Sequence, residues 1–393
     1  MKNKSAFLMV VALFLVSLNL RPAINSVSPV LSAITKDLGM SAFAASLLTS
    51  IPVLCMGIFP AFAVRLGHRL GMERVIGWSL AVIGAGTVLR LFAGSAFFLL
   101  GTALIAGIGI AAVGPVAVRV HQTAFSGEGA FHDRPVLGCA CSGSDAGVRT
   151  VRAAAGPAAV LAERACPVGC AGFNRHSRMV AVRFAEGGKA DGRGSGGSAA
   201  KPPWTSRKAW SLTLSFGLLC ILFYSITAWS PPIIQSMGYS KAFAGSALTL
   251  FSVAQIPVSL VLPMLLRRYP SRSLWLLLGS LMILTGFLMI AFAVQPLLAA
   301  LIIGIGPGML FPINLLLPID EAGNARQAAA WSAMTQSVGY VIGALGPILL
   351  GSVHDAVGSY SGPMIAMIAI VLLMIAVQLA LPCREKDGKW GRA

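Results

Sequence analysis

About fifteen residues into the first apolar run of this chain stands an arginine, within the string LNLRPAINSVSPVL at residues 18–31. Arg21 offers a permanent cation and a planar fork of donors. Those groups suit a small carboxylate-like, cyanate-like or nitro oxygen, bound through charge-assisted hydrogen bonds. An arginine near the centre of a membrane helix costs about 2.5–3.5 kcal/mol on insertion scales, so a compensating partner is needed. Two answers fit: a polar cavity that holds a solute, or snorkelling to the outer interface with pairing to Asn19 or Asn25. Substrate contact is the expectation, with Asn25 as its polar neighbour in the site. Arg90, near the outer end of the third apolar segment, lines the same cavity or snorkels. Gln255, Asn314 and Gln336 occur singly inside later apolar segments, where each amide must face protein or water. They join the expected substrate site, although hydrogen bonding between helices explains a lone amide equally well.

Bond-making chemistry is not signalled. The sequence holds no H-E-x-x-H, no nucleotide loop and no intramembrane Ser/His/Asp set, so no catalytic residue and no cofactor is expected. The Gly-Ile-Gly strings at 107–109 and 304–306 lie inside apolar segments with no preceding strand, which points to close helix packing and not to phosphate binding. Cys139, Cys141, Cys166 and Cys170, with His132 or His176 nearby, lack a zinc spacing, so no metal site is expected. Asp320 and Glu321 read as a loop after one span, and His354 and Asp355 as residues just beyond another. These acids could couple a proton or ion to transport, but loop solvation accounts for them at less cost. Trp229, Tyr224 and Trp331 read as an interface belt or as cavity wall.

The elements that position these residues are membrane helices. Hydrophobic residues make up 56% of the chain and charged residues 11%, and mean hydropathy is +0.80; no soluble domain of this length hides that much apolar surface. A net charge of +17 would suggest nucleic acid in a soluble protein. Here most basic residues lie between apolar runs, where cytoplasmic Lys/Arg bias explains them, and no nucleic-acid partner is expected. A span needs about 20 apolar residues. Ten segments qualify, at 6–31, 43–64, 74–93, 96–118, 209–231, 243–266, 273–293, 295–317, 327–352 and 361–381. The first reads as a retained helix and not as a cleaved signal. With a cytoplasmic amino terminus, the basic clusters at Lys2/Lys4, Arg65/Arg69/Arg74, Arg207/Lys208, Arg267/Arg268/Arg272 and Arg384/Lys386/Lys389 all fall on one side. Both termini are then cytoplasmic, in a bacterial inner (plasma) membrane.

The two halves resemble each other, as parallel repeats do in many transporters. SLLTSIPV (46–53) matches SALTLFSV (246–253) at an offset of 200, and GIGIAAVGP (107–115) matches GIGPGMLFP (304–312) at an offset of 197. The same offset applied to the last two spans predicts partners near 130–155 and 164–184, where no apolar run of spanning length occurs. Residues 119–208 instead hold thirteen of the thirty Lys and Arg. This segment reads as a long polar cytoplasmic linker, as a weak metal site, or as a stretch translated out of frame. The last is favoured because its Ala/Gly/Arg/Cys/Val-rich composition lacks periodicity. The organisation is therefore a four-helix bundle over 1–119, a polar, basic, poorly ordered segment over 120–208 in place of two helices, a six-helix bundle over 209–382, and a cytoplasmic tail over 383–393.

The string around Arg21, with LTSIPVLCMGIFPAFA (48–63), LRLFAGS (89–95), GIGIAAVGPVAV (107–118) and WSAMTQSVGYVIGALGP (331–347), resembles the major facilitator superfamily, in its cyanate and nitroimidazole transporter branch. The resemblance covers about 1–119 and 205–382 and fails over 120–185. It implies an all-α integral membrane fold of two helical bundles, here with ten convincing spans (4+6) where the family has twelve. In the loop after the second span, VRLGHRLGMER (64–74) carries His68 where the family pattern has Asp, which removes any gating pair dependent on that Asp. The expected function is secondary active transport, by alternating access, of a small anionic or weakly polar nitrogen compound. The partners would be that small-molecule substrate, the lipid bilayer and a coupling proton or ion. The competing class is a membrane protein that transports nothing, either a frame-disrupted product or a scaffold acting through its central segment.

Overall fold

The computed structural model describes Thr35 and residues 38–125 and 203–381. The expected span at 6–31, most of the central segment 120–208 and the tail 383–393 lie outside these residues. Ten α-helices follow in order: α1 (Ala42–Ile58), α2 (Pro60–Leu70), α3 (Met72–Leu89), α4 (Ala96–Phe125), α5 (Arg207–Ser236), α6 (Lys241–Arg268), α7 (Arg272–Ala291), α8 (Pro296–Asp320), α9 (Ala325–Val357) and α10 (Ser361–Leu379). A 3-10 turn at Arg90–Phe92 joins α3 to α4. Eight helices are long and apolar enough to cross a membrane, or nine when the bent pair α1–α2 counts as one span. These are the nine expected spans that fall among the described residues.

Local chemistry sets the helix starts. Ser41, Ser206, Ser240 and Asn324 each precede a helix and accept a hydrogen bond from a backbone N–H three residues on, at 2.8–3.3 Å, which satisfies a donor with no partner inside the helix. Two boundaries differ from the sequence reading. The span expected at 43–64 is broken at Phe59, and α2 leaves the α1 axis by 53°. Pro60 has no N–H to give the carbonyl four residues back, and it fits the first position of a new helix. The helix expected to stop at 352 continues to Val357 and ends at Gly358, whose φ of +70° supplies the left-handed terminus.

α1 to α4 form one group, with α1 and α3 packed on α4, and α5 to α10 form the other around α5, which is buried along most of its length. The outer faces carry exposed apolar side chains such as Phe62, Trp78, Phe97 and Met264, as a lipid-facing surface requires.

The repeat read from sequence reappears as matched packing. In α4, a methyl added at Gly109 would lie 2.8 Å from the Ser79 carbonyl of α3 and press on Ile83. In α8, a methyl on Gly306 would lie 2.7 Å from the Gly279 carbonyl of α7 and press on Ile283. Gly86 meets Thr102 and Ala106, and Gly286 meets Ala299 and Ile303, so every partner recurs at an offset of 200 or 197. In lipid the helices gain nothing by hiding oil from water, and close backbone approach at small residues supplies the contact energy instead. Gly306→Ala is therefore expected to destabilise the purified chain by about 1–3 kcal/mol through overpacking. Gly84→Ala, where nothing lies within 4 Å, is expected to be neutral or mildly stabilising, by up to about 1 kcal/mol. Thermal unfolding in detergent checks both, and equal effects would contradict the packing assignment.

Candidate functional site

The packed interior of the second group is aromatic, with polar side chains buried beside the rings. Phe216 of α5 meets Phe311 of α8 and Tyr340 of α9 edge-on, at centroid distances of 6.2 and 5.4 Å. Phe223 meets Phe311 at 5.1 Å and Tyr224 at 5.3 Å, both edge-on, the geometry the ring quadrupoles favour. The Tyr224 hydroxyl reaches the Met56 sulfur of α1 at 3.9 Å, across the two groups. Beside the rings, Ser215 Oγ donates to Asn314 Oδ1 at 2.8 Å, and the Thr213 and Thr335 hydroxyls lie 3.5 Å apart.

The expected site residues fall into three sets. Arg21 and Asn25 lie outside the described residues. Arg90 sits in the 3-10 turn after α3 and is 6% exposed, so its side chain is enclosed by protein and does not spread at the surface. The amides divide. Asn314 Nδ2 donates to the Leu310 carbonyl at 2.9 Å while its oxygen takes the Ser215 hydroxyl, which ties α8 to α5. Gln255 is fully buried and donates to the Phe251 carbonyl of its own helix at 3.1 Å. Gln336 is partly exposed on α9, next to Thr335. None of the four described positions lines either of the two cavities described below.

Aromatic placement also differs from the belt reading. Trp229, Tyr224 and Trp331 are 3%, 7% and 6% exposed, inside protein and not at a lipid boundary. Trp229 Nε1 donates to the Pro347 carbonyl at 3.2 Å, an anchor that an interfacial tryptophan would give to water or headgroups.

The principal contact between the two groups runs along α1 and α9. A methyl on Gly57 would lie 2.7 Å from the Ser337 carbonyl, and one on Gly351 would lie 2.7 Å from the Ala42 carbonyl, so the helices touch at both ends of α1. At the Ser41 end, the Asp355 carboxylate accepts from the N–H groups of Ala42 at 3.0 Å and Phe43 at 2.9 Å. His354 stacks obliquely between Tyr360, at 4.5 Å, and Trp229, at 5.6 Å. Burial holds the Tyr360 hydroxyl above the ordinary phenol range, so this ring is neutral at physiological pH. A cavity of about 320 Å³ opens here, lined by Ser41, Ala45, Trp229, His354, Asp355 and Tyr360 among others. A second, of about 410 Å³, is apolar and lies between α1 and α4.

Glu321 stands in the turn after α8 as expected, but Asp320, His354 and Asp355 lie within helices. His354 and Asp355 belong to the last turns of α9, because the helix runs on to Gly358. Asp320 closes α8 and pairs with Arg272 at 3.0 Å. Glu321, its side chain 6% exposed, pairs with Lys208 at the start of α5. These two pairs neutralise acids among the basic helix ends and stay within the second group. The sequence reading missed the Asp355 contact with α1, and also Ser215 and the ring cluster. The only signal for the α9 packing was the small-residue stripe Gly339, Gly343 and Gly346, which lies on Phe216, Cys220 and Ile221 of α5.

The model of the Major Facilitator Superfamily matches residues 7–129 and 144–347. The uncharacterized transporter YycB of Bacillus subtilis (strain 168) is 31% identical over 391 residues, 95% of this chain and 93% of that protein. The 2-nitroimidazole transporter of Escherichia coli (strain K12) is 27% identical, with 98% of each chain covered. The cyanate transport protein CynX of the same organism is 30% identical, covering 90% of this chain and 91% of its own. Among solved structures, a mutant of the nucleoside transporter NupG superposes with a TM-score of 0.70 over 95% of this chain and 98% of that one. At 12% identity the likeness concerns the fold alone.

Proposed function

The chain belongs to the Major Facilitator Superfamily, and on that premise we propose that it is a secondary active transporter of a small anionic or weakly polar nitrogen-containing solute. The observation that carries this reading is Arg21 inside an apolar run of the sequence, in a chain whose near end-to-end relatives include proteins named for 2-nitroimidazole and for cyanate. Cyanate is an anion and a nitroimidazole presents nitro oxygens, so both suit a planar fork of donors. Arg21 and Asn25 hold the solute. Of the three amides, Gln336 is the most available to it, because Asn314 and Gln255 already spend donors on helix carbonyls.

The mechanism is alternating access by rocking of the two groups. The seam supports it: α1 and α9 meet from the Ser41 end to Gly57, and beyond Gly57 the chain bends so that α2 packs on α3 and α4 in its own half. The basic helix ends face the cytoplasm of a bacterial inner membrane, the Ser41 end faces the opposite side, both termini are cytoplasmic, and a proton or ion supplies the driving force. The test is transport by the purified chain in liposomes. Saturable movement of labelled 2-nitroimidazole or cyanate above protein-free vesicles is expected, and none for either solute would overturn the reading.

A further inference from the structure

Asp355 stands where its own helix does not favour it. The last turn of α9 exposes carbonyl groups and carries partial negative charge, so an anion there lowers helix stability. Its carboxylate is answered instead by α1, whose sequence lies more than 300 residues away: Ala42 N–H donates to one oxygen at 3.0 Å and Phe43 N–H to the other at 2.9 Å. The next N–H of α1, from Ala44, goes to the local hydroxyl of Ser41 at 3.1 Å. The start of α1 is thus capped once from within its own half and twice from the other. Gly351, one turn before Asp355, lets the backbones approach, since a methyl there would lie 2.7 Å from the Ala42 carbonyl. The rings of Trp229, His354 and Tyr360 back the turn that carries the carboxylate.

We propose that Asp355 is an interbundle latch: its carboxylate, seated on the start of α1, holds the Ser41 end of the protein closed, and its removal lets α1 and α9 part there. The inference rests on the two-bundle carrier reading, in which this seam must open and close. Both hydrogen bonds lie at exposed positions, so water competes for them and the latch is reversible.

Ser50 supplies the reporter. It lies seven residues from Phe43 and seven from Gly57, on the α1 face that meets α9, and it is 1% exposed. Ser50→Cys changes little volume and places a thiol that reacts only when the seam opens. The purified full-length chain is treated with N-ethylmaleimide, and modification at residue 50 is followed by peptide mass spectrometry. Adding Asp355→Asn is expected to raise the labelling rate about tenfold, through loss of charge-assisted bonds. Asp355→Glu, which keeps the charge, and Ser41→Ala, which removes only the local cap, should stay near the parent rate. No increase with Asp355→Asn, or an equal increase with Ser41→Ala, would overturn the latch. So would parallel labelling of Cys220, 0% exposed, which would mean unfolding and not opening. The readout needs no solute, so its failure is distinguishable from failure of the transport reading.

Discussion

Arg21→Ala is expected to weaken solute binding by about 10–100-fold and to leave expression and folding intact. A hydrogen bond to a charged group contributes about 1.5–3 kcal/mol, and each 1.4 kcal/mol is about a factor of ten in affinity. Arginine at the centre of a membrane helix costs about 2.5–3.5 kcal/mol to insert, so alanine at this position of the apolar run would not impair insertion. Lost affinity therefore cannot be traced to poorer insertion. Arg21→Lys keeps the charge but loses the planar fork, and its affinity should fall between parent and alanine. Competition binding on the purified chain, with unlabelled 2-nitroimidazole or cyanate as competitor, reads all three. Unchanged affinity for Arg21→Ala would discard the assignment.

The second large effect belongs to Gly57, at the far end of the α1–α9 seam. A methyl there already falls 2.7 Å from the Ser337 carbonyl and 3.0 Å from the Val341 backbone nitrogen. These are backbone atoms of α9, so relief requires the whole helix to move. Gly57→Leu is expected to disfavour the closed seam by about 1–3 kcal/mol, and transport should fall by about 5–150-fold because one half of the cycle becomes rarely populated. Gly245→Leu is the control, since nothing lies within 4 Å of that position. Transport rates in liposomes check the pair. A Gly57→Leu protein as fast as the parent would show that this contact does not gate the cycle.

Much of the fold was legible because its signals are local and additive. Apolar runs of spanning length located nine spans among the described residues, and the two Gly-Ile-Gly strings announced close packing that Gly109 and Gly306 make against equivalent partners. Boundaries were less legible where one residue overrides a pattern. Pro60 broke a continuous apolar run, and α9 ran on past the expected stop at 352 to Gly358, whose φ of +70° supplies the left-handed terminus. Polar positions inside the helices were legible as residue types, and their partners were not. Asn314 and Gln255 announced themselves as polar groups in apolar helices, but their bonds to Leu310, Ser215 and Phe251 depend on rotamer and helix rotation, which no string of letters displays. Asp355 was hidden more deeply, since its partners Ala42 and Phe43 carry no side-chain signal and offer only backbone N–H groups.

The central claim is that this chain is a carrier for a small nitrogen-containing solute, and counterflow tests it most directly. Liposomes holding the purified protein are loaded with unlabelled 2-nitroimidazole or cyanate and diluted into a trace of the labelled compound. A transient accumulation of label above equilibrium is expected for at least one solute, abolished by Arg21→Ala. A carrier shows this overshoot because its single site exchanges solute each time the bundles rock. Label that never exceeds the level of protein-free vesicles, for both solutes, would contradict the account.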